Sequence, residues 1–420
     1  MKILHVSTNE IEGGAARAAN RLHQGLLKAG IDSQMLVQSR TTLDPRVHAS
    51  EGKLARGLDA IRPTIDQLPL HLLSPAGANS FCLGWFPDRL TEAIKRLKPD
   101  LLHLHWVAKG ALNIRTLENI AQPVVWTLHD MWPMTGGCFH SRDCLRFQDS
   151  CGACPQLKSG STRDLSRWVW ERKHAAWKKK PEVLICPSGW MAERASSSSL
   201  FNGRDIRRVS NGLDTQRFQP IDHLQARRLL GLPVDSPLVL FSEVKGPLNP
   251  YKGFHYLAPI FQALKSIDKD TRVELVLLGQ IYPEQVIDIP VPVHRLGRFA
   301  DDVSLALAYG AADLFISPSE IDNLPNTVME SLACGTPVAG FSVGGIPEMI
   351  ASQQTGWLSP TGDAADLARG ISWILEDRER WQKLSNQARQ QALAEYDLSL
   401  QAERMIDLYT ELIESVSLDG

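Results

Sequence analysis

Short apolar runs alternate with segments of helical period along the chain. Lys2–Ser7 is a predicted strand, Ala18, Leu22 and Leu26 recur at helical spacing, and Ser33–Gln38 is the next predicted strand. Short apolar runs joined through helices are typical of the buried strands of a parallel sheet. We therefore expect an α/β protein whose strand–helix–strand units form doubly wound sheets.

The alternation begins again in the second half of the chain. Four more apolar runs are predicted strands: Leu238–Ser242, Val273–Gly279, Leu314–Ile316 and Val338–Phe341. A length of 420 residues is enough for two large α/β domains. The pattern therefore predicts two tandem Rossmann-like domains that face a cleft.

Two stretches of the first half follow the pattern less clearly. Residues 40–95 contain five prolines and little periodicity, so we expect loops and short helices there. Residues 112–120 are predicted to form a helix between two apolar strands.

Composition and charge exclude several classes of protein. The net charge is −2, so we expect no nucleic-acid partner. The sequence has no run of about 18 apolar residues, and it begins with a predicted strand rather than a signal peptide. We therefore predict a cytoplasmic protein, with peripheral contact at the inner face of the membrane as a further interpretation.

Gly13 and Gly14 stand at the turn between the first predicted strand and the first predicted helix. Glycines at such a turn let the backbone approach a phosphate and direct N–H groups at it. Their spacing differs from the G-x-G-x-x-G pattern of dinucleotide sites, which argues against NAD. A glycine turn that binds nothing is the alternative interpretation.

The loop after the predicted strand Leu314–Ile316 carries two acidic residues of interest. Asp322 lies in the loop, and Glu330 lies in the first turns of a helix that Asn326 or Thr327 is expected to cap. Ligands of open α/β sheets bind at this edge, and a carboxylate accepts two hydrogen bonds from a vicinal diol. The pair therefore suits a ligand rich in hydroxyl groups. The alternative is a surface acid followed by a glutamate that complements the helix dipole.

Asp322 and Glu330, with seven residues between them, resemble the acidic signature of retaining GT-B glycosyltransferases, in particular family 4. That family usually has Glu where this chain has Asp322, which shortens the reach to the sugar by one methylene group. The resemblance extends over nearly the whole chain, including a His-Asp pair at His129 and a Lys-Gly pair at Lys252. His103 and His105 are less specific, and we expect them to line the cleft or to lie in the core.

The resemblance implies a role for each matching residue. Lys252 is expected to bind the donor diphosphate, and Lys245 stands beside the position where the family usually has Arg. The implied catalytic residues are His129 beside the sugar, Asp322 on the sugar hydroxyls and Glu330 on the ribose diol. The implied donor-binding residues are Gly13, Gly14, Lys245, Lys252, Asn323, Leu324 and Glu330. The family needs no metal for catalysis, so no catalytic cofactor is expected.

The domain boundaries follow from the same resemblance. Residues 208–220 look like the family's crossover between domains. Residues 1–213 would then form an acceptor-side domain with a cysteine-rich insert at 136–155, and residues 214–395 a nucleotide-sugar domain. Residues 396–420 are expected to return to the first domain as a helix.

The insert places Cys138, Cys144, Cys151 and Cys154 within seventeen residues. The Cys151-x-x-Cys154 spacing is typical of a zinc knuckle, and two further thiolates complete a tetrahedral set. Structural zinc is therefore the expectation for a cytoplasmic protein, with free thiols or two disulfides as alternatives. His140 is able to replace one of the thiolates.

Residues 163–180 combine Trp168, Trp170 and Trp177 with many basic side chains. Such a helix can lie on an anionic membrane surface. The second interpretation is a solvated helix whose tryptophans belong to the core.

The resemblance implies transfer of a sugar from a UDP- or GDP-sugar to an alcohol, with retention at the anomeric carbon. The acceptor is expected to be a glycan, specifically a lipid-linked glycan in exopolysaccharide or O-antigen synthesis. The alternative from another class is a non-catalytic protein of the same fold that binds nucleotide-sugars or glycans.

Overall fold

The computed structural model describes residues 1–74, 80–243, 249–280 and 289–418. The chain divides into two compact units. The first contains Met1–Ser210 and Ser399–Gly420, and the second contains Asn211–Leu398. Each unit is built on one parallel sheet, so the α/β class that the sequence indicated is confirmed.

The first unit is built on a parallel sheet that reverses its strand order once. Its described strands are β1 (Lys2–Asn9), β2 (Asp32–Ser39), β3 (Val47–His48), β4 (Leu101–Leu104), β5 (Val124–Thr127), β6 (Val183–Cys186) and β7 (Asp205–Arg208). They are arranged in the order β3-β2-β1-β4-β5-β6-β7. The order reverses between β1 and β4, and ligands of such sheets bind beyond the carboxyl ends of the strands at this point.

The helices of this unit include one from the very end of the chain. They are α1 (Gly14–Lys28), α2 (Lys53–Leu73), α3 (Leu90–Leu97), α4 (Leu165–Ala176), α5 (Gly189–Ser196) and α13 (Leu398–Leu418). α13 packs Met405, Leu408 and Tyr409 into one core cluster with Ile3 and Val125 of the sheet. Among all helices of the described residues, none is long and apolar enough to cross a bilayer.

The expectation of loops and short helices for residues 40–95 is wrong, because α2 extends over 21 residues. Pro63 and Pro69 lie within this helix. Its buried positions recur at helical spacing but are mostly polar: Asp59, Arg62, Asp66 and Leu70. The sequence of this segment therefore has no apolar periodicity that would predict a helix. The helix predicted at 112–120 is a shorter 3-10 helix, Ile114–Asn119.

The buried polar side chains of α2 are satisfied by specific partners. Arg62 Nε donates to Asp59 Oδ1 at 2.8 Å. Asp66 Oδ2 accepts from the backbone N–H of Leu83 at 3.1 Å, and Asp66 Oδ1 accepts from that of Trp85 at 3.4 Å. Buried polar groups are tolerated when they are paired in this way. The helix is therefore held by polar contacts to the following loop.

The aromatic residues of α4 and its C-cap divide between core and surface. Trp177 is buried, whereas Trp168 is 40% exposed and lies under the guanidinium of Arg172 at 4.7 Å. Lys173 is buried and donates to the backbone oxygens of Trp132 and Thr135. The core interpretation therefore holds for Trp177 but not for Trp168.

The second unit repeats the architecture on a shorter sheet. Its described strands are β8 (Leu238–Ser242), β9 (Glu274–Leu278), β10 (Val293–Gly297), β11 (Leu314–Ser317), β12 (Val338–Phe341) and β13 (Gly356–Ser359). They are parallel in the order β10-β9-β8-β11-β12-β13, which reverses between β8 and β11. The helices are α6 (His223–Leu230), α7 (Leu257–Ile267), α8 (Asp302–Ala311), α9 (Asn326–Ala333), α10 (Ile346–Met349), α11 (Ala364–Leu375) and α12 (Arg378–Glu395).

Helix α9 begins differently from the expectation. Pro325 occupies the N-cap position with φ −65°, and no side chain caps the helix there. Asn326 and Thr327 are already inside the helix, so the prediction that one of them caps it is wrong. The fixed φ of proline sets the direction of the chain instead of a side-chain hydrogen bond.

We predict that Asp66→Ala lowers the free energy of unfolding of the first unit by roughly 2–4 kcal/mol, because the buried N–H of Leu83 and the part-buried N–H of Trp85 lose their acceptor. Urea denaturation of the full chain measures this loss. Thr64→Ala, at an exposed position of the same helix, is the matched control and is expected to stay within about 0.5 kcal/mol of the parent. Equal effects of the two substitutions would contradict the anchoring role.

Candidate functional site

Lys252 and Asp322 meet in the second unit, at the point where its sheet reverses. Lys252 ends a 3-10 turn in the segment after β8, and Asp322 lies in the loop after β11. Lys252 Nζ donates to Asp322 Oδ2 at 2.6 Å. Burial acts against the charge of Lys252, but attraction to Asp322 and Glu243 outweighs it and raises the pKa of the ammonium group. A charged lysine therefore stands where ligands of this fold bind.

Neighbouring loops hold the backbone around Asp322. The N–H of Glu320 donates to the carbonyl of Tyr251 at 2.8 Å, and the N–H of Gly345 donates to the carbonyl of Asp322 at 3.1 Å. Gly344 has φ +55°, and a Cβ added there would lie 1.7 Å from the carbonyl oxygen of Asp322. Only glycine permits this approach. The position of Asp322 is thus set by three loops at once.

Glu330 projects from α9 into a buried environment. It is 3% exposed, and the hydroxyl of Tyr309 in α8 donates to its Oε2 at 3.0 Å. A carboxylate offers about four acceptor sites in total. Asn323 and Leu324 are also buried. Lys245 lies outside the described residues.

The glycine pair of the first unit stands directly at the start of α1. Gly13 occupies the N-cap position with φ +95°, and α1 begins at Gly14. A Cβ on Gly13 would meet no atom within 4 Å, so the backbone conformation rather than space requires glycine there. The pair follows β1, one of the two strands that flank the reversal of the first sheet. Its contact with phosphate stays a prediction.

His129, which follows β5, ends a chain of hydrogen-bonded imidazole rings. Its Nε2 is 3.1 Å from Nδ1 of His105, and Nε2 of His105 is 3.0 Å from Nδ1 of His5. Burial lowers the pKa of His129 to about 4 and those of His105 and His5 well below their usual value. Each neutral ring carries one N–H, so His105 donates to one neighbour and accepts from the other. The tautomer of His129 is therefore coupled to two buried rings.

His103 stacks on this chain but bonds elsewhere. Its Nδ1 is 2.5 Å from the hydroxyl of Tyr409 in α13, and its Nε2 is 2.7 Å from Oγ1 of Thr127. His5, His103 and His105 bring one ring nitrogen each within 4.8 Å of the others. Both nitrogens of His103 and of His105 already have protein partners, so the geometry fits a hydrogen-bonded cluster better than a metal site.

Asp130 shapes the loop that follows His129. Its Oδ2 accepts from the indole N–H of Trp106 at 2.6 Å, and its Oδ1 accepts from the backbone N–H of Trp132 at 2.9 Å. Burial raises the pKa of Asp130 to about 6, against the opposing effect of these hydrogen bonds. The side chain therefore acts as a fixed acceptor that positions the loop.

Three residues of these arrangements gave little or no signal in the sequence. Glu243 adds charge next to Lys252, and its only signal was its place directly after β8. His5 lies opposite His103 in the register of β1 and β4, which sequence alone did not reveal. Tyr309 had no signal, because the packing of α8 against α9 is not visible in either segment.

Comparison with known protein families assigns both units. A family model described as Glycosyltransferase Family 4 matches residues 12–217, and one described as Glycosyl transferases group 1 matches residues 240–377. The D-inositol 3-phosphate glycosyltransferase of Saccharomonospora viridis is 31% identical over 326 residues, which cover 74% of this chain and 70% of that protein. Two further proteins of that description align over 55% and 51% of their own length.

Solved structures show the same fold. The sucrose-phosphate synthase of Thermosynechococcus elongatus superimposes with a TM-score of 0.71 at 20% identity, covering 99% of this chain and 100% of that one. HepE of Anabaena in complex with UDP-glucose reaches 0.65 at 16% identity, over 98% and 100% of the two chains. The GT-B fold, with two Rossmann-like units, is thereby confirmed.

Acid is expected to destabilise the first unit through its buried histidines. Burial lowers the pKa of His103 to about 3, below an unfolded value of about 6.5. Its stabilising contribution is therefore complete above about pH 6.5 and is lost as the pH falls toward 3. Between about pH 7.5 and 5.5 this histidine alone removes roughly 1 kcal/mol. His103→Gln should reduce the acid-induced loss by that amount in urea unfolding at the two pH values.

The comparison of parent and variant isolates His103. Two other buried groups with shifted pKa values are present in both proteins. The raised pKa of Asp130 stabilises the folded state in acid, and burial lowers the pKa of Lys173 to about 7. His255→Gln is the control, because that side chain is 55% exposed in the second unit. A pH dependence that His103→Gln leaves unchanged would contradict the assignment.

Gly344→Ala is expected to destabilise the second unit more than Gly231→Ala. Both glycines have positive φ, but a Cβ on Gly231 would meet nothing within 4 Å. Gly231→Ala is therefore the control, and its loss of unfolding free energy measures backbone strain alone, on the order of 1 kcal/mol. The overlap with Asp322 should add roughly 1–3 kcal/mol at position 344. Denaturant unfolding measures the difference, and equal losses would show that the loop adapts freely.

Proposed function

The chain belongs to glycosyltransferase family 4, and from this premise we propose that it is a retaining hexosyltransferase that moves a sugar from a UDP- or GDP-sugar to an alcohol. The observation that carries the proposal is the pair of Lys252 with Asp322 at the reversal of the second sheet. A cation and a hydroxyl acceptor stand there side by side. These are the two groups that a sugar diphosphate requires.

The departing nucleoside diphosphate is the main charge that the reaction has to stabilise. Lys252 carries three N–H donors and gives one to Asp322, so it has donors left for phosphate oxygens. Its raised pKa keeps it protonated without a ligand. We propose Lys245, Gly13 and Gly14 as further phosphate-binding residues.

The sugar and the ribose are hydroxyl-rich, and the two acids supply acceptors for them. We assign the sugar hydroxyls to Asp322, whose backbone the surrounding loops fix. The ribose diol is assigned to Glu330, with Asn323 and Leu324 next to it in the donor site. Fixed acceptors of this kind stabilise charge without reorganising during the reaction.

His129 is the proposed contact near the reacting carbon. Its lowered pKa makes it a neutral imidazole at physiological pH, in which one nitrogen donates and the other accepts, and Nε2 already bonds to His105. The chain through His105 to His5 restricts that choice. A neutral ring suits a carbon that gains positive character, because it adds no repulsion.

A UDP- or GDP-sugar donor agrees with the UDP-glucose complex of HepE, a protein of the same fold. For the acceptor we propose a lipid-linked glycan of exopolysaccharide or O-antigen synthesis, handled in the cytoplasm at the inner face of the membrane. The exposed Trp168 with Arg172 on α4 supports peripheral membrane contact. A non-catalytic protein that binds nucleotide-sugars or glycans is the alternative.

We predict that the purified full chain releases UDP or GDP from a nucleotide-sugar and that Lys252→Met lowers this rate about 100-fold, because the diphosphate loses its cation. Chromatography of free UDP and GDP, with UDP-glucose and GDP-mannose as probes, measures the rate. Lys252→Arg restores the charge and should recover part of the activity. Lys265→Met, at an exposed position of α7, is the matched control and should keep the parent rate.

The same assay separates the two candidate functions. When an alcohol acceptor is added to this assay, release of nucleotide together with a glycoside of that alcohol that keeps the anomeric configuration of the donor supports the transferase. Protein that UDP stabilises in a thermal shift experiment, but that releases no nucleotide from either probe, would favour the binding protein.

A further inference from the structure

The cysteine-rich insert has little regular structure to hold it together. Between the end of β5 and the start of α4 at Leu165, the chain forms three 3-10 turns of three residues each, Trp132–Met134, Arg146–Gln148 and Pro155–Leu157. This stretch begins directly after the strand that leads to His129. A long loop without its own helices or strands usually needs another source of order.

All four cysteines of the insert line one cavity. Cys138, Cys144, Cys151 and Cys154 surround a volume of about 20 Å³, which is room for one body the size of a water molecule. Phe81, which precedes the insert in the chain, also lines the cavity. The sequence brought these cysteines within seventeen residues of one another, and the fold places all four in the wall of one cavity.

A backbone N–H group is directed at one of the sulfur atoms. The N–H of Gly136 donates to Sγ of Cys151 at 3.1 Å. Such donors stabilise a thiolate more than a thiol, because hydrogen bonds to a charged acceptor are stronger. Hydrogen-bond donors around the ligands are a regular feature of metal sites.

The turn that joins the last two cysteines is strained. Cys151 has φ +53° and Ala153 has φ +43°, a region that side chains with a Cβ enter at a cost of about 1–2 kcal/mol each. Strain of this kind persists where the surroundings determine the conformation. A bond from each end of the turn to one central atom would provide that constraint.

A trapped water molecule or a chance grouping of thiols accounts less well for the four cysteines around this cavity. All seven cysteines, each in the described part of the chain, are free thiols. The remaining three are not among the residues that line the cavity: the thiol of Cys82 donates a hydrogen bond to Asp66, Cys186 is in β6, and Cys334 is the C-cap of α9. A thiol is a weak hydrogen-bond partner for a water molecule, whereas four thiolates are a preferred ligand set of zinc.

We propose that Cys138, Cys144, Cys151 and Cys154 bind one zinc ion that orders the insert between β5 and α4. Four thiolates close the coordination sphere, so the ion has no open position for substrate and acts as a structural site. The thiols release their protons on binding, and the binding energy becomes part of the stability of the first unit. The inference does not depend on the proposed transfer reaction.

The test is the metal content of the full chain, purified from zinc-supplemented cells without chelator. Mass spectrometry for metals should find about one zinc per chain. Cys151→Ser and Cys144→Ser should reduce zinc to background. Cys334→Ala, a buried cysteine of the second unit, and His140→Ala should keep it. In the parent, an organomercurial reagent should release the zinc as four thiols react, which tests the site even if a serine variant fails to fold.

Each remaining outcome overturns the site. Parent protein that carries no zinc and takes up none from one added equivalent, while all four thiols react freely, would identify them as ordinary thiols. Intact masses that show two disulfides, or stoichiometric iron in place of zinc, would do the same. Loss of zinc in His140→Ala would replace the proposed ligand set with one that includes the imidazole.

Discussion

The single reversal of strand order in each sheet is the constraint on which the rest of the structure depends. Parallel strands send all their carboxyl ends to one edge, and the reversal separates the loops that leave two adjacent strands. In the second unit these strands are β8 and β11, and the segments that follow them bring Lys252 to Asp322. In the first unit the strands that flank the reversal are followed by the glycine pair and by His105.

Desolvation explains how the ionisable groups near these edges are arranged. A charge or polar group that leaves water has to be paired, or it changes its protonation state. Lys252 is paired with Asp322 and stays charged, whereas His5, His105 and His129 lose their charge and bond to one another. The same rule therefore keeps a lysine charged in one unit and an imidazole neutral in the other.

The cysteine-rich insert follows a different principle from the sheets. Its buried residues Phe147 and Leu157 pack into the core of the first unit, but its regular structure is limited to short 3-10 turns, and its four cysteines line one small cavity. The insert lies in the same stretch between β5 and α4 as His129 and Asp130, and Asp130 is bonded to Trp106 and Trp132. Order in the insert is thus linked to the loop that carries the proposed catalytic histidine.

The sequence by itself determined the α/β class, the repetition of the architecture and the family. Each of these is written in local patterns: apolar strands buried on both faces, glycine turns and short fixed spacings. The sequence pattern did not predict α2, because the buried face of this helix is made of Asp59, Arg62 and Asp66 and therefore shows no apolar period. A local hydrophobic pattern does not reveal a helix whose buried side chains are polar and are hydrogen-bonded to other parts of the chain.

Only the tertiary structure decided which of these residues act on one another. Lys252 meets Asp322 across 70 positions, and His5 meets His105 across 100. Tyr309 reaches Glu330 from another helix. Such contacts depend on strand register. They also depend on the close approach of loops, as at Gly344, which has no side chain and therefore lets its loop approach the backbone of Asp322. No segment carries this information alone, because the partner of each group is supplied by a distant part of the chain.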